Sequence, residues 1–388
     1  MARAKARDNR QRRFQDFATR PPRLRVLSDL PLECREAHVD SFELRYRVGP
    51  VYDIIRHPDT KMPLTIAVYG DWGTGKTSAM RWLEGLLKQW NQSGPPDDGV
   101  RVRSVWFYPW KYDSKEDVRR GLIAEVILNA IDIENATTKT VISAAKKFGL
   151  FLGKSFLLTL ASVKLKAKAP GDVAEAEFNL AAIKEILAEY QEAAHPEKAY
   201  LNEFEDTLRE WVKETVGKDG RKERMAVFID DLDRCMPDVA LQVLEALKLY
   251  LNIDNLIFVV GVDREVIDAL VIEYYRKLGL VEAKQAASQG DVKIGQRREE
   301  QEQKARQYLC KMFQVEVLVT PSEEQIDNLL DEQLETIAFW NELKPEEKRI
   351  FRSLIAKEAR RNPREIKRLI NSAVIGGVGA LMLSGEEE

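Results

Sequence analysis

Short apolar runs alternate with stretches of helical spacing along most of the chain. The apolar runs predict strands, at residues 64–69, 102–107, 225–229, 256–262 and 314–319. Between them, apolar residues recur every three or four positions, which is the spacing of a helix with one buried face. Helices that alternate with strands in this way are typical of a parallel sheet that is covered by helices. The sequence therefore predicts an α/β fold.

The pattern changes at both ends of the chain and once inside it. After the last predicted strand the spacing is helical only, so residues 321–388 are predicted to form a C-terminal helical subdomain behind a core that spans 29–320. Residues 1–28 hold nine Arg or Lys against two Asp and are interpreted as a basic flexible arm. Within the core, residues from about 115 to 216 are predicted to form a lysine-rich helical insertion.

Composition narrows the class of protein. Hydrophobic residues make up 44% of the 388 and charged residues 32%, which excludes a disordered, collagen-like or multi-span membrane protein. The formal net charge of −3 does not by itself indicate a nucleic-acid partner. Cys34, Cys235 and Cys310 lack the spacing of a zinc site, and the N-terminus has no apolar signal core. These features predict a cytoplasmic protein.

A glycine-rich loop follows the first predicted strand. Residues 70–77 satisfy the pattern GxxxxGK[ST] between a strand and a helix, which is the context that a phosphate-binding loop requires. Glycines let the backbone wrap around an anion, and the helix presents its positive end to that anion. Lys76 is predicted to bridge the β- and γ-phosphates of ATP, and the Thr77 hydroxyl to bind Mg²⁺. The predicted nucleotide-binding residues here are Gly70, Asp71, Trp72, Gly73, Thr74, Gly75, Lys76, Thr77 and Ser78.

Two carboxylates end the third apolar run. Asp230 is predicted to act on the metal through its water shell, and Asp231 to orient or deprotonate the attacking water as a catalytic residue. Many proteins of this layout have Glu in the second place, so the shorter Asp231 side chain bears on the rate of hydrolysis. Asp233, two residues on, fits a helix-capping turn before Pro237.

A third carboxylate follows the fourth apolar run. Asp263 is predicted to reach the same carboxyl edge of the sheet as the phosphate loop, where ligands bind in open α/β sheets. Two interpretations stay open for it. Asp263 either holds the attacking water as a catalytic residue that senses the γ-phosphate, or caps the helix that starts at Glu265.

Several motifs occur together in a fixed order. They are 57–65, 70–77, the aromatic run 106–112, 229–235, 261–264, 308–315 and 362–368. With these motifs the chain resembles the KAP family of P-loop NTPases, which is related to AAA+ and STAND proteins, from about residue 29 to 373. The resemblance implies a sheet in the order 5-1-4-3-2, a C-terminal helical lid, and a nucleotide between core and lid.

The resemblance also bears on two smaller points. Asn362, Pro363 and Glu365 form the start of a capped helix, and Arg364 resembles a lid residue that reaches the phosphates. A surface cation on a basic helix is the alternative for Arg364. The family's aromatic motif often contains Asn-Ala where this chain has Tyr108-Pro109, so a polar role of that Asn does not transfer, and the aromatic residues are interpreted mainly as core packing.

The family often carries paired transmembrane helices between the loop and the acidic strand. Here residues 148–163 are apolar but are interrupted by Lys154, and a lysine at the centre of a span costs about 3 kcal/mol. No span is predicted. Residues 137–169 hold seven Lys and no acid, which fits a helix packed on the protein with a solvated lysine face. A peripheral contact with the inner face of a membrane, or with nucleic acid, through this segment and the basic arm is the alternative.

These features predict an ATPase that uses Mg²⁺-dependent ATP binding and hydrolysis as a conformational switch. The family context implies membrane-linked signalling or bacterial defence against phage. A nucleotide-gated assembly scaffold with little turnover, a nucleic-acid-stimulated ATPase and a small-molecule phosphotransferase are the alternatives. Self-association into a homo-oligomer or binding to a partner protein is expected, because ATPases of this class frequently act with their neighbours.

Overall fold

The computed structural model describes most of the predicted core and C-terminal subdomain. The described residues are 42–94, 99–112, 114–130, 223–250, 253–277, 307–337, 343–360 and 362–384, together with 27, 31, 143–148, 152, 207, 209–210, 303 and 340. The predicted basic arm, apart from residue 27, and most of the predicted insertion therefore lie outside the described residues.

Strands and helices alternate in the first part of the chain. The strands are β1 (Leu64–Tyr69), β2 (Arg101–Phe107), β3 (Glu223–Ile229), β4 (Leu256–Val262) and β5 (Val315–Leu318). The helices that accompany them are α1 (Leu44–Arg56), α2 (Lys76–Ser93), α3 (Lys115–Ala130), α4 (Pro237–Tyr250) and α5 (Arg264–Lys277). Short 3₁₀ turns at Pro109–Lys111 and Leu232–Arg234 follow β2 and β3.

The strands form one five-stranded sheet in the order β2-β3-β4-β1-β5, and every neighbouring pair is parallel. This is the order 5-1-4-3-2 that the resemblance implied, and the α/β prediction is confirmed. Because all strands run the same way, their carboxyl ends meet at one edge. The register pairs Tyr69 with Val262 and Leu318, and Ile229 with Phe107 and Val260, at that edge.

An apolar layer covers each face of the sheet, so its central strands are buried on both faces. Alternate strand residues join α3, α4 and α5 in one core, whose members include Val227, Phe258 and Leu244. The other strand residues, such as Ile66, pack with α1 and α2. Strand β4 is buried along its whole length, as its unbroken apolar run predicts.

Strand β3 begins earlier than the apolar pattern predicts, because its first two residues are charged. The main chain of Glu223 pairs with Arg101, and the guanidinium of Arg224 is buried at 5% exposure. Arg224 donates to the carbonyl oxygens of Ile55 at 2.6 Å and His57 at 2.9 Å. It also donates to Pro58 at 3.3 Å and Thr60 at 2.9 Å. These bonds satisfy a cation that an apolar pattern does not anticipate.

The described part of the lysine-rich insertion is short. Over residues 143–148 the chain is helical, with Ala144, Ala145 and Phe148 buried in the core and Lys146 and Lys147 exposed. In this stretch the arrangement is that of a helix packed on the protein. The rest of segment 137–169, apart from residue 152, lies outside the described residues. Within the part of the chain that the structure describes, no helix is long and apolar enough to cross a bilayer.

The chain divides into two compact units, of which the first spans Pro31–Thr320 and contains the sheet. The second contains the described residues from Pro321 onward together with Leu27. Its helices are α6 (Glu323–Glu335), α7 (Pro345–Glu358) and α8 (Pro363–Ser384). Ser322 begins α6 with a capping box that it shares with Gln325. The main chain of Leu27 exchanges two hydrogen bonds with the Asn371 amide, at 2.7 and 3.0 Å.

Candidate functional site

The glycine loop joins β1 to α2 at the carboxyl edge of the sheet. Gly73 and Gly75 have φ of 84° and 110°, in the left-handed region that side chains rarely adopt. A Cβ on Gly70 would lie 2.5 Å from the Thr74 hydroxyl and 2.8 Å from the Val319 carbonyl oxygen. Thr74 turns back on the loop and donates to the Asp71 carbonyl at 2.8 Å through its hydroxyl. The motif glycines are therefore required by the local geometry.

Lys76 folds back over this loop and is 8% exposed. Its Nζ donates to the carbonyl oxygens of Gly70 at 2.9 Å and Asp71 at 3.2 Å. A third bond, at 3.3 Å, joins Nζ to Oδ2 of Asp233, and that side chain is 9% exposed. Helix α2 begins at Lys76, so the ammonium group lies at the positive end of a helix as the motif predicts.

Thr77 and Asp230 meet across the end of the sheet. The Thr77 hydroxyl donates to Oδ1 of Asp230 at 3.2 Å, and Asp230 is 2% exposed. Burial raises the pKa of Asp230 to about 6; the neighbouring Asp231 adds to the shift, and the bond from Thr77 opposes it. A hydroxyl and a carboxylate are ligands that Mg²⁺ prefers, and a cation would relieve the cost of ionising this buried acid. The two side chains therefore fit a magnesium ion.

Asp231 adopts φ of 61°, a left-handed conformation that Asp tolerates better than most residues. Its N–H donates to Oδ1 of Asp230 at 3.0 Å, which fixes the two acids side by side. Its own Oδ1 forms an ion pair with Nε of Arg234 at 2.9 Å. The carboxylate predicted to act on the metal, Asp230, is thus hydrogen-bonded to the residue predicted to orient the water, Asp231. Asp231 is also paired with a cation, Arg234.

Asp263 caps α5. Its Oδ1 accepts from the N–H groups of Glu265 at 3.0 Å and Val266 at 3.4 Å, which is the capping interpretation. A contact with the attacking water stays a prediction. The next residue, Arg264, pairs with Glu316 of β5 at 3.3 Å and lies over the Tyr69 ring at 4.9 Å.

Other predicted nucleotide-binding residues divide between the two units. Asp71 and Trp72 are exposed on the loop, with Trp72 at 50%, and Ser78 is half-buried on α2. Arg364 belongs to the C-terminal unit, where its N–H donates to Oδ1 of Asn362 at 3.0 Å. Asn362 thus caps α8 as the motif predicts. The contact of Arg364 with phosphates stays a prediction.

Sequence reasoning missed two features of this edge. The sequence position of Asp233 fits a capping turn, yet its carboxylate lies 3.3 Å from Nζ of Lys76. A second feature is Arg81, whose guanidinium lies 3.5 Å from the Trp106 ring centroid and donates to the Tyr108 hydroxyl at 2.6 Å. Arg81 stands four residues after Thr77 on α2, so their helical spacing was the available signal.

The aromatic run after β2 packs partly as expected. Trp106 stacks on Phe228 at 5.0 Å and on Tyr108 at 6.0 Å. Burial raises the pKa of the Tyr108 hydroxyl, and the nearby Arg81 opposes that rise. The Tyr108 hydroxyl is therefore protonated at neutral pH. Its hydrogen bond from Arg81 is a polar contact that core packing does not explain.

One family model matches the chain. It is described as the KAP family P-loop domain, and it matches residues 49–376, which include the sheet, α6, α7 and the first part of α8. A search of curated proteins returned no significant match. The matched range contains the loop, the acidic strand end and the capped helix that carried the resemblance. The chain therefore belongs to the KAP family of P-loop NTPases.

Proposed function

We propose that this protein binds ATP with Mg²⁺ and hydrolyses it, and that the cycle drives a conformational switch. The observation that supports this most is the convergence of four side chains at one sheet edge. Lys76 and Thr77 begin α2, and the Thr77 hydroxyl lies 3.2 Å from Asp230, with Asp231 beside it. A cation, a hydroxyl and paired acids in this order suit phosphate binding followed by attack of water.

Each residue has one task in this proposal. The N–H groups of the loop and the Lys76 ammonium hold the β- and γ-phosphates. Thr77 and Asp230 would hold Mg²⁺, which would neutralise negative charge on the phosphates. Asp231 orients the attacking water and accepts its proton. Oδ1 of Asp231 also pairs with Nε of Arg234 at 2.9 Å, so this cation competes with a water proton for that oxygen.

The switch part of the proposal concerns the C-terminal helices. They act as a lid that closes when ATP binds and reopens after hydrolysis, with Arg364 as the residue that contacts the phosphates. On the basis of family membership alone, we assign the switch to membrane-linked signalling or to defence against phage, acting as a homo-oligomer or with a partner protein. Molecular mass in solution with and without ATP tests the assembly.

The decisive experiment measures ATP binding by calorimetry and phosphate release on the same preparations. Lys76→Ala is expected to abolish binding, whereas Asp231→Asn keeps binding and loses phosphate release by about a hundredfold or more. Asp254→Asn removes an equal charge from an exposed position before β4, at the opposite edge of the sheet, and keeps both. Equal activity in all three variants would contradict the proposal.

A second function is favoured by the Asp231–Arg234 ion pair. If that pair stays closed with ATP bound, the protein is a nucleotide-gated scaffold that holds ATP with little turnover. ATP-dependent assembly that persists in Asp231→Asn, together with a wild-type rate no higher than that of the variant, distinguishes the scaffold from the hydrolytic switch.

A further inference from the structure

The ammonium group of Lys76 is already saturated with acceptors in this structure. A lysine side chain has three donors, and Nζ has three partners: the Gly70 and Asp71 carbonyl oxygens and the Asp233 carboxylate, at 2.9, 3.2 and 3.3 Å. Both charged side chains are nearly buried, at 8% and 9% exposure. Water therefore screens the attraction between these two charges only weakly.

Asp233 reaches Lys76 from a different element. It lies on the 3₁₀ turn Leu232–Arg234, 157 residues after the lysine in sequence. The same turn follows Asp231, and its hydrogen bonds from Arg234 N to Asp231 O at 3.1 Å and from Cys235 N to Leu232 O at 3.3 Å make it one local unit. The ion pair therefore connects the phosphate loop with the turn that carries the proposed water-orienting acid.

A phosphate group and Asp233 compete for the donors of the Lys76 ammonium group. Phosphate oxygens that accept from Nζ must replace present acceptors, because a lysine has no fourth proton to donate. A carboxylate left beside a bound phosphate would also repel it, and in a buried site that repulsion is poorly screened. Binding of an anion therefore opposes retention of the Lys76–Asp233 pair.

We propose that Asp233 is a built-in competitor for the phosphate site: it holds Lys76 while the loop is empty, is displaced by the incoming phosphates, and so sets the affinity for nucleotide. The displacement frees the turn at Leu232–Arg234 and couples loading of the loop to the position of Asp231. The inference rests on the proposed function for its ligand, whereas the ion pair itself can be tested without any nucleotide.

The first test compares affinities by calorimetry, with ATP and with inorganic pyrophosphate as probes. Asp233→Asn keeps the size of the side chain but removes its charge, and is expected to bind both probes about tenfold more tightly than wild type. Asp233→Glu restores the charge and returns the affinity toward wild type. Asp254→Asn serves as the matched control and leaves it unchanged. Unchanged or weaker binding by Asp233→Asn overturns the proposal, and weaker binding restricted to Mg²⁺-ATP would instead make Asp233 part of the metal site.

The second test is a double-mutant cycle on the unloaded protein, with Lys76→Met, Asp233→Asn and both together, read by denaturant unfolding. The single variants are each expected to lower the unfolding midpoint, and the double variant to lower it by less than the sum of the two. If the shifts of the two single variants add up in the double variant, Lys76 and Asp233 do not interact in the unloaded protein, and the proposal is overturned. This holds even if Asp233→Asn binds the probes more tightly, because removing a negative charge also reduces general repulsion of an anion. If wild type binds neither probe, the proposed function fails, while coupling in this cycle still reports on the pair.

Discussion

Two buried cations of the core, Lys76 and Arg224, are held in opposite ways. Arg224 stands at the amino end of β3 and donates to four main-chain carbonyl oxygens between residues 55 and 60, at 2.6 to 3.3 Å. Lys76 stands at the carboxyl edge and shares its bonds between two loop carbonyls and the Asp233 side chain.

The difference lies in which partners can leave. The carbonyl oxygens around Arg224 belong to the last turn of α1 and to the segment that joins α1 to β1, so they cannot move away unless this part of the main chain unfolds. The Asp233 carboxylate can rotate away from Lys76 while the backbone stays in place. A cation whose partners are all main-chain groups has a structural role, whereas a cation with a side-chain partner can exchange that partner for a ligand.

The largest loss of stability is expected from a substitution of Arg224, at the amino edge of the sheet. Arg224→Met should lower the free energy of unfolding by about 3 kcal/mol or more, because buried carbonyl oxygens lose their donors together. Denaturant titration measures this loss. Lys88→Met, which removes a cation that is 59% exposed on α2, serves as the control and should cost about 0.5 kcal/mol or less. A loss below about 1 kcal/mol in Arg224→Met would show that water replaces the guanidinium. It would also contradict the distinction between a structural Arg224 and an exchangeable Lys76.

The second prediction concerns the lysine itself. Lys76→Met should lower the free energy of unfolding of the unloaded protein by about 1 to 2 kcal/mol, less than Arg224→Met, because it removes three hydrogen bonds rather than four. The variant should however lose the stabilisation by ATP, which for wild type is about 2.7 kcal/mol at a hundred times the Kd. Thermal unfolding with and without ATP measures both. Arg224→Lys should show the reverse, with lower stability and a retained response to ATP.

A third prediction tests how closely the carboxyl edge is packed. A Cβ at Gly261 would lie 2.7 Å from Cε of Met80 and 3.3 Å from Oδ1 of Asp230. Gly261→Ala should therefore cost about 1 kcal/mol and weaken Mg²⁺-dependent ATP binding, because Met80 and the carboxylate must shift. The double variant with Met80→Val, which lacks the terminal methyl group, should recover most of the stability. Failure of that recovery would place the strain at Asp230 rather than at Met80.

The smallest effect concerns Cys235, next to the acidic turn. Burial, with Asp233 and Asp231 nearby, raises the pKa of its thiol to about 12, so the group stays protonated at pH 8. Cys310 is exposed. A thiol reagent at pH 8 should modify Cys310 much faster than Cys235, as followed by mass spectrometry of the labelled peptides. Equal rates would mean that the turn opens frequently in the unloaded protein.

Local patterns were sufficient to predict the loop and most strand positions. The motif at residues 70–77 combines required glycines with a fixed strand and helix, so sequence alone located it. Strand β4 matches its prediction because a strand buried on both faces is apolar throughout. The order of the strands depends on pairing between distant segments, and it was obtained from the family resemblance rather than from the pattern.

Contacts between distant polar residues were not predictable. Asp233 looked like a capping residue, and only the conformation of the 3₁₀ turn brings its carboxylate to Lys76. Arg224 breaks the apolar pattern of β3, and its acceptors lie 164 to 169 residues away in sequence. In both cases a charged residue is satisfied by partners that no spacing rule identifies.

The last strand of the sheet has a consequence for synthesis of the chain. The Val319 N–H bonds to the Tyr69 carbonyl at 2.7 Å, and its own carbonyl oxygen closes over Gly70. Tyr69 and Val319 are about 250 residues apart in sequence. The ribosome has therefore made most of the protein before Val319 can pack against the loop. A nascent chain that ends before β5 therefore lacks the contact between Val319 and the glycine loop. The loop can reach its final anion-binding form only late in translation.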